Sequence, residues 1–307
     1  CRLPTCFMPN SGIPGGLARS QTPMLVYFSF DDAVTPWTKS FFDQLFKKSR
    51  TNPNGCPIAA THFNSHQNTV YKLVKELYDA GHEIASHSIS HRTPTTWWRD
   101  ASQAEYKEEI VGQKNNIHKY ADVPLNEIRG MRVPFLQLGK DNQFNMLEKN
   151  HFLYDASMSS RSDPPSWPFT LQYPKKLVGG LCSVEPCPTE PHNLWEVPLN
   201  NFYMGSDCSS PMVDGCRPAT KEAALKYIRR NFQSHYNSPN KPPFGLNMHA
   251  SWFAYPQNFQ AMDDFIEELI SNEDVWIVPI HKVLQWTQNP TPTSELKDFE
   301  PFACNKH

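Results

Sequence analysis

Nowhere in the 307 residues is there an apolar run long enough to span a bilayer, a Cys-x-x-Cys pair, or an Asn-x-Ser/Thr sequon. These absences exclude a helical membrane span and argue against a cysteine zinc site; they also remove one common support for secretion without contradicting it. Net charge is missing too. Lysine and arginine number 29 against 31 aspartates and glutamates, so nothing in the balance favours nucleic acid or an anionic membrane, and a neutral partner fits better. The sequence opens on Cys1 and Arg2; a signal peptide is expected to have been removed upstream.

What the chain does have is eight cysteines, at positions 1, 6, 56, 182, 187, 208, 216 and 304, mostly in Pro/Gly/Ser-rich stretches. An even number in that setting predicts disulfides that pin loops and termini, and a secreted protein. Cys182 with Cys187 and Cys208 with Cys216 are the expected local pairs. Aromatic residues make up 12%, with eight tryptophans. Trp97, Trp98, Trp167 and Trp252 fall beside loop-like stretches, where a ring is suited to burial or to stacking on a sugar.

The apolar run "MLVYFSF" (24 to 30) has strand length and ends abruptly in Asp31 and Asp32. A helical pattern comes next with Thr35 as its cap, then a strand at "CPIAATHF", a helix through Val70, Leu73, Val74, Leu77 and Tyr78, and a strand at "HEIASHS". The alternation continues with a polar helix near 101 to 119, a strand at "IRGMRVPF", a short helix around 143 to 149, and a strand at "HFLYDASM". From about 159 to 218 the rhythm breaks into a long insertion rich in cysteine and proline, with one strand at "LWEVPLN". It then resumes with a helix from about 219, the strand "FGLNMHASW", the helix "NFQAMDDFIEELI", the strand "VWIVPI" and a last helix at "HKVLQWT". Repetition of this kind predicts parallel strands. The expected fold is α/β, a distorted (β/α)7-type barrel with a disulfide-rich loop insertion, forming one domain over 1–307 with its barrel core at about 22–288.

Catalytic groups of such barrels gather at the carboxyl ends of strands. Asp31 and Asp32, His87 and His91, Arg132 to Phe135, Asp155 and His249 all fall there. Two imidazoles four residues apart plus one carboxylate make a three-ligand metal site with an open position, and either Asp31 or Asp32 can supply that carboxylate while the other takes a proton. A His-x-x-x-His pair alone is weak evidence: His62 and His66 share the spacing and read as incidental, and His82 as structural. Arg132 can keep the base ionised, and His249 can protonate a leaving group.

In order and spacing, "FSFDD", "HSISH", "RVPF", "YDASM" and "NMHASW" resemble the five motifs of the polysaccharide deacetylases of carbohydrate esterase family four, the NodB-homology domain. "GHEIASHSISH", "RGMRVPFLQLG" and "WEVPLNN" look most like the arthropod chitin deacetylases. The resemblance implies Asp31 as general base; Asp32, His87 and His91 as ligands of a divalent metal, usually Zn2+; Arg132 orienting the base; His249 as general acid; and Asp155 tuning it. At Phe135 the family usually has tyrosine, but the backbone N–H that stabilises the oxyanion is supplied by either residue. Trp167 comes later after Asp155 than the family's fourth motif places its tryptophan.

The residues and the resemblance together predict a metal-dependent deacetylase acting on N-acetylglucosamine units of chitin or chito-oligosaccharides. It is expected to be a monomer secreted into a cuticle or gut-lining matrix, among other chitin-matrix proteins and without a separate chitin-binding module. Three rivals stand beside it. A chitin-binding matrix protein with little turnover would lack the need for both Asp31 and His249. A deacetylase of xylan or peptidoglycan would use the same chemistry. A two-His-one-carboxylate iron oxygenase shares the ligand types but leaves Arg132, the second aspartate and His249 unexplained.

Overall fold

Each run read as a buried strand forms one in the computed structural model, which describes residues 1–304; the last three positions of the expected domain lie outside the described residues. The strands are Met24–Asp32 (β1), Thr61–Asn64 (β2), Glu83–Ser86 (β3), Gly130–Met131 (β4), Tyr154–Asp155 (β5), Phe169–Thr170 (β6), Trp195–Glu196 (β7), Phe244–His249 (β8) and Val275–Ile277 (β9). They make one curled sheet in the order β8-β1-β2-β3-β4-β5-β7-β6, with β9 also on β1. Pairings are parallel except β6 with β7. This is a half-barrel with an antiparallel edge, and the helices between successive strands supply the crossovers that parallel pairing requires.

Two features differ from the sequence reading. "LWEVPLN" does not stay within the insertion: the N–H groups of Trp195 and Val197 donate to the carbonyls of Leu153 and Asp155, which makes β7 a member of the main sheet. The polar helix near 101 to 119 is three pieces, Gln103–Tyr106, a π-helical turn at Lys107–Val111, and Gly112–Ala121. Elsewhere the local signals hold. Thr35 caps the helix Pro36–Leu45 by accepting from the Thr38 N–H at 3.2 Å.

Apolar side chains from both sides of the sheet are buried. Phe28, Phe30, Phe42, Phe46 and Phe244 fill one cluster, and Trp276 and Trp286 anchor another. Trp167 belongs to the second, stacked on Trp286 at 5.3 Å, with its indole N–H donating to the Asn240 carbonyl. Such a ring is core, not pocket wall. Gly245 on β8 packs under Tyr27, where an added Cβ would stand 2.2 Å from the phenol ring. Gly245→Ala is expected to cost about 1–3 kcal/mol through overpacking, read as a lower urea midpoint.

Both expected local disulfides form, Cys182–Cys187 and Cys208–Cys216. Two further bridges join Cys1 to Cys6 and Cys56 to Cys304, leaving no free cysteine.

Candidate active site

Parallel register sets the site. Asp31 at the end of β1 is the direct partner of His249 at the end of β8, and Asp32 of Asn64 on β2. Successive side chains of a strand point to opposite sides, so the two aspartates face different neighbours. Asp31 turns inward to Arg132, whose Nη1 donates to Asp31 Oδ1 at 2.6 Å. Asp32 turns outward to the histidines, its backbone at φ 81°.

Arg132 is fully buried, lies over the Phe63 ring at 4.1 Å, and spends its donors on Asp31, Ser29 Oγ, Asn247 Oδ1 and the Ala156 carbonyl. Burial pushes the Asp31 carboxyl up, but the guanidinium, with His87 and His249, overrides it and leaves the group below its ordinary value. It is an ionised carboxylate held in a fixed direction.

Asp32, His87 and His91 each offer one ligand atom, all within 4.8 Å of one another. Nε2 of each histidine lies 3.7 Å from Asp32 Oδ1. His87 Nδ1 donates to the Arg132 carbonyl at 2.8 Å, which fixes the tautomer and leaves a lone pair on Nε2. Burial holds this imidazole below its usual range, hence neutral, as a ligand must be. Two imidazoles from the segment after β3 and one carboxylate from the end of β1 fit a divalent ion with an open coordination position.

His249 Nε2 lies 3.8 Å from Asp32 Oδ2, across the cluster from His87 and His91. Phe135 stacks edge-on against His91 at 4.6 Å, is 44% exposed, and has φ 61°. Asp32, Ser88, His91, Phe135 and Leu136 all have positive φ, a conformation that costs non-glycine residues of order 1–3 kcal/mol each. Strain gathered on one rim marks a site whose geometry is imposed by its surroundings.

Residues 18–149 match the family model for polysaccharide deacetylase. Chitin deacetylase 8 of Bombyx mori is 36% identical over 95% of this chain and 77% of its own length. The chain belongs to the polysaccharide deacetylase family. Chitin deacetylase 1 of Bombyx mori is likewise 36% identical, over 98% of this chain, which spans only 58% of that protein. A putative polysaccharide deacetylase from Mycobacterium smegmatis shares the fold, with TM-score 0.59 at 17% identity over 90% of this chain and 93% of that one.

One expected arrangement in this family member differs. Asp155 does not pair with His249. Its oxygens accept from Gln143 Nε2, Ser157 N–H and Ser157 Oγ, and it lies against Glu196, whose carboxyl is pushed well up by burial and by Asp155 itself. Burial raises the Asp155 carboxyl as well, and the two face each other in register at the β5–β7 junction. His249 pairs instead with Asp214, its Nδ1 donating to Asp214 Oδ2 at 2.8 Å. Asp214 sits in the short 3-10 turn Val213–Gly215, inside the loop closed by Cys208–Cys216. Burial would lower the His249 pKa, but Asp214 and the aspartates of β1 raise it to about 9. His249 therefore stands as an imidazolium with Nε2–H turned to the cluster. Beside it, Asp214, Arg217, Ser251, Trp252 and Tyr255 line a cavity of about 350 Å³.

His62 and His66 stay out of the site, the first bonded to His82 and the second to Tyr71.

Proposed function

We propose that the protein hydrolyses the acetamide of N-acetylglucosamine units in chitin or chito-oligosaccharides, releasing acetate and leaving a glucosamine. The observation that carries this is the register of β1 against β8: a held carboxylate base and an imidazolium acid flank one three-ligand metal site. That is the division of labour which amide hydrolysis needs.

Zn2+ held by Asp32, His87 and His91 would supply a Lewis acid that acidifies water and polarises the carbonyl. Asp31, kept ionised by Arg132, takes the proton of the attacking water. The Phe135 N–H donates to the carbonyl oxygen as it gains negative charge. His249, steadied through Nδ1 by Asp214, delivers its Nε2 proton to the departing amine, so the C–N bond breaks without expelling an amide anion. The exposed rings of Trp37 and Tyr255, 48% and 51% accessible, suit a sugar polymer.

The kinship with the Bombyx mori chitin deacetylases favours chitin over other acetylated glycans. Four disulfides with no free thiol favour secretion; among the described residues no helix is long and apolar enough to cross a membrane. We take the protein to act as a monomer with the polymer as its partner.

Acetate release from an N-acetylglucosamine oligomer tests the reading. Release is expected with Zn2+, to fall to background after chelation and in His249→Ala, and to return when Zn2+ is restored to the unaltered protein. Release that survives chelation would reject it.

A further inference from the structure

Between the two histidine ligands runs the segment Ser88, Ile89, Ser90, which has no regular structure of its own. One buried carboxylate holds it. Glu109 Oε2 accepts from the N–H groups of Ile89 at 3.0 Å and Ser90 at 2.8 Å, and Oε1 accepts from Ser90 Oγ at 2.7 Å. Glu109 is only 7% exposed. It projects from the π-helical turn Lys107–Val111, an irregularity found frequently at functional sites.

The same stretch of helix touches the ligand loop twice more. Ser86 Oγ, one residue before His87, donates to the Ile110 carbonyl at 2.9 Å. Gly112 lies so close to Ile89 that an added Cβ would stand 2.7 Å from its Cδ1. On the loop itself, Ser88 and His91 adopt φ 77° and 45°, and the His91 N–H donates to Ser88 Oγ at 3.1 Å. A loop with two residues in the left-handed region keeps that shape only if something outside over-determines it.

We propose that Glu109 is a positioning residue for the metal site: by capturing the two amides and the hydroxyl between His87 and His91, it fixes the spacing and direction of both imidazoles before an ion arrives. It touches no ligand atom and acts through the backbone. A loop left free would pay ordering entropy on binding, so the clamp appears as metal affinity. The inference rests on Asp32, His87 and His91 holding a divalent ion, and on nothing about substrate.

Zn2+ affinity of the metal-stripped protein, measured by competition with a chromophoric chelator, tests it in the parent, Glu109→Ala and Ser90→Ala, with the melting temperature of each metal-free form. Glu109→Ala is expected to bind Zn2+ about 10- to 100-fold more weakly, the usual effect of losing a supporting hydrogen bond behind a ligand. Ser90→Ala, which removes only the hydroxyl contact, should weaken binding several-fold. Unchanged affinity in Glu109→Ala overturns the proposal, including the case where the metal-free protein melts earlier while affinity holds, since that is a purely structural role. If Glu109→Ala does not fold, Ser90→Ala decides: a several-fold loss supports the clamp and parental affinity overturns it. A parent protein that binds no Zn2+ would overturn the metal site and the clamp together, whereas parental binding with unaffected variants removes the clamp alone.

Discussion

Arg132→Met is expected to lower stability by about 3–5 kcal/mol and to abolish acetate release, while adding Asp31→Asn to it should recover much of the stability and none of the activity. Removing the guanidinium strands a buried carboxylate and takes a donor from the Ala156 carbonyl, Ser29 Oγ and Asn247 Oδ1, the last two still joined to each other. Most of the loss is the penalty for an uncompensated charge, so neutralising Asp31 relieves it. Urea unfolding of the parent, the single and the double variant measures both effects. A double variant no more stable than the single would contradict the charge argument. Recovery without activity would mean that the ion pair is kept for chemistry at a site where the fold could manage without it.

Acid should unfold this protein through histidines far from the metal ligands. His82 and His235 are held neutral by burial, with pKa values lowered to about 4, and His62 is lowered well below its ordinary value. The geometry explains the first. His82 Nδ1 accepts from the Ala60 N–H and faces His62 Nε2 at 3.0 Å, so a proton there would meet two donors. Asp43 and Lys39 oppose one another at His82 and leave burial dominant. Because the native pKa lies below the unfolded value of roughly 6.5, the unfolded chain binds protons first. Stability is therefore whole above about pH 6.5 and is lost as pH falls toward 4, by about 3 kcal/mol for each of His82 and His235. Urea midpoints at pH 7.5 and 4.5 read this directly, and His235→Gln should flatten the slope. A midpoint independent of pH across that interval would mean the histidines are solvated in the native state.

The metal cluster was legible in the sequence because a parallel sheet converts chain order into place. Strand ends share a rim, so Asp31, Asp32, His87, His91, Arg132 and His249 could be collected from separate β/α units without knowing any distance. Asp214 could not. It lies in an irregular stretch, and only the turn Val213–Gly215 and the Cys208–Cys216 bridge bring it to His249; nothing local distinguishes it from an exposed loop acid. Asp155 misled for the complementary reason. Its strand-end position was right, but β7, two residues long, carries Glu196 against it, and so short a strand leaves no alternation to read. Glu109 was hidden in a helix rich in charge, where one more glutamate reads as a solvated face until a π turn rotates it inward.

Synthesis on the ribosome delivers these groups at two separate times. The three residues of the candidate metal cluster are 32, 87 and 91, whereas the imidazole proposed as the acid is residue 249 and its carboxylate partner residue 214. A growing chain thus acquires the candidate cluster and the groups that hold it, Glu109 and the Arg132 carbonyl, before the proposed acid and its partner, and the oxidation that closes Cys208–Cys216 belongs to the later stage.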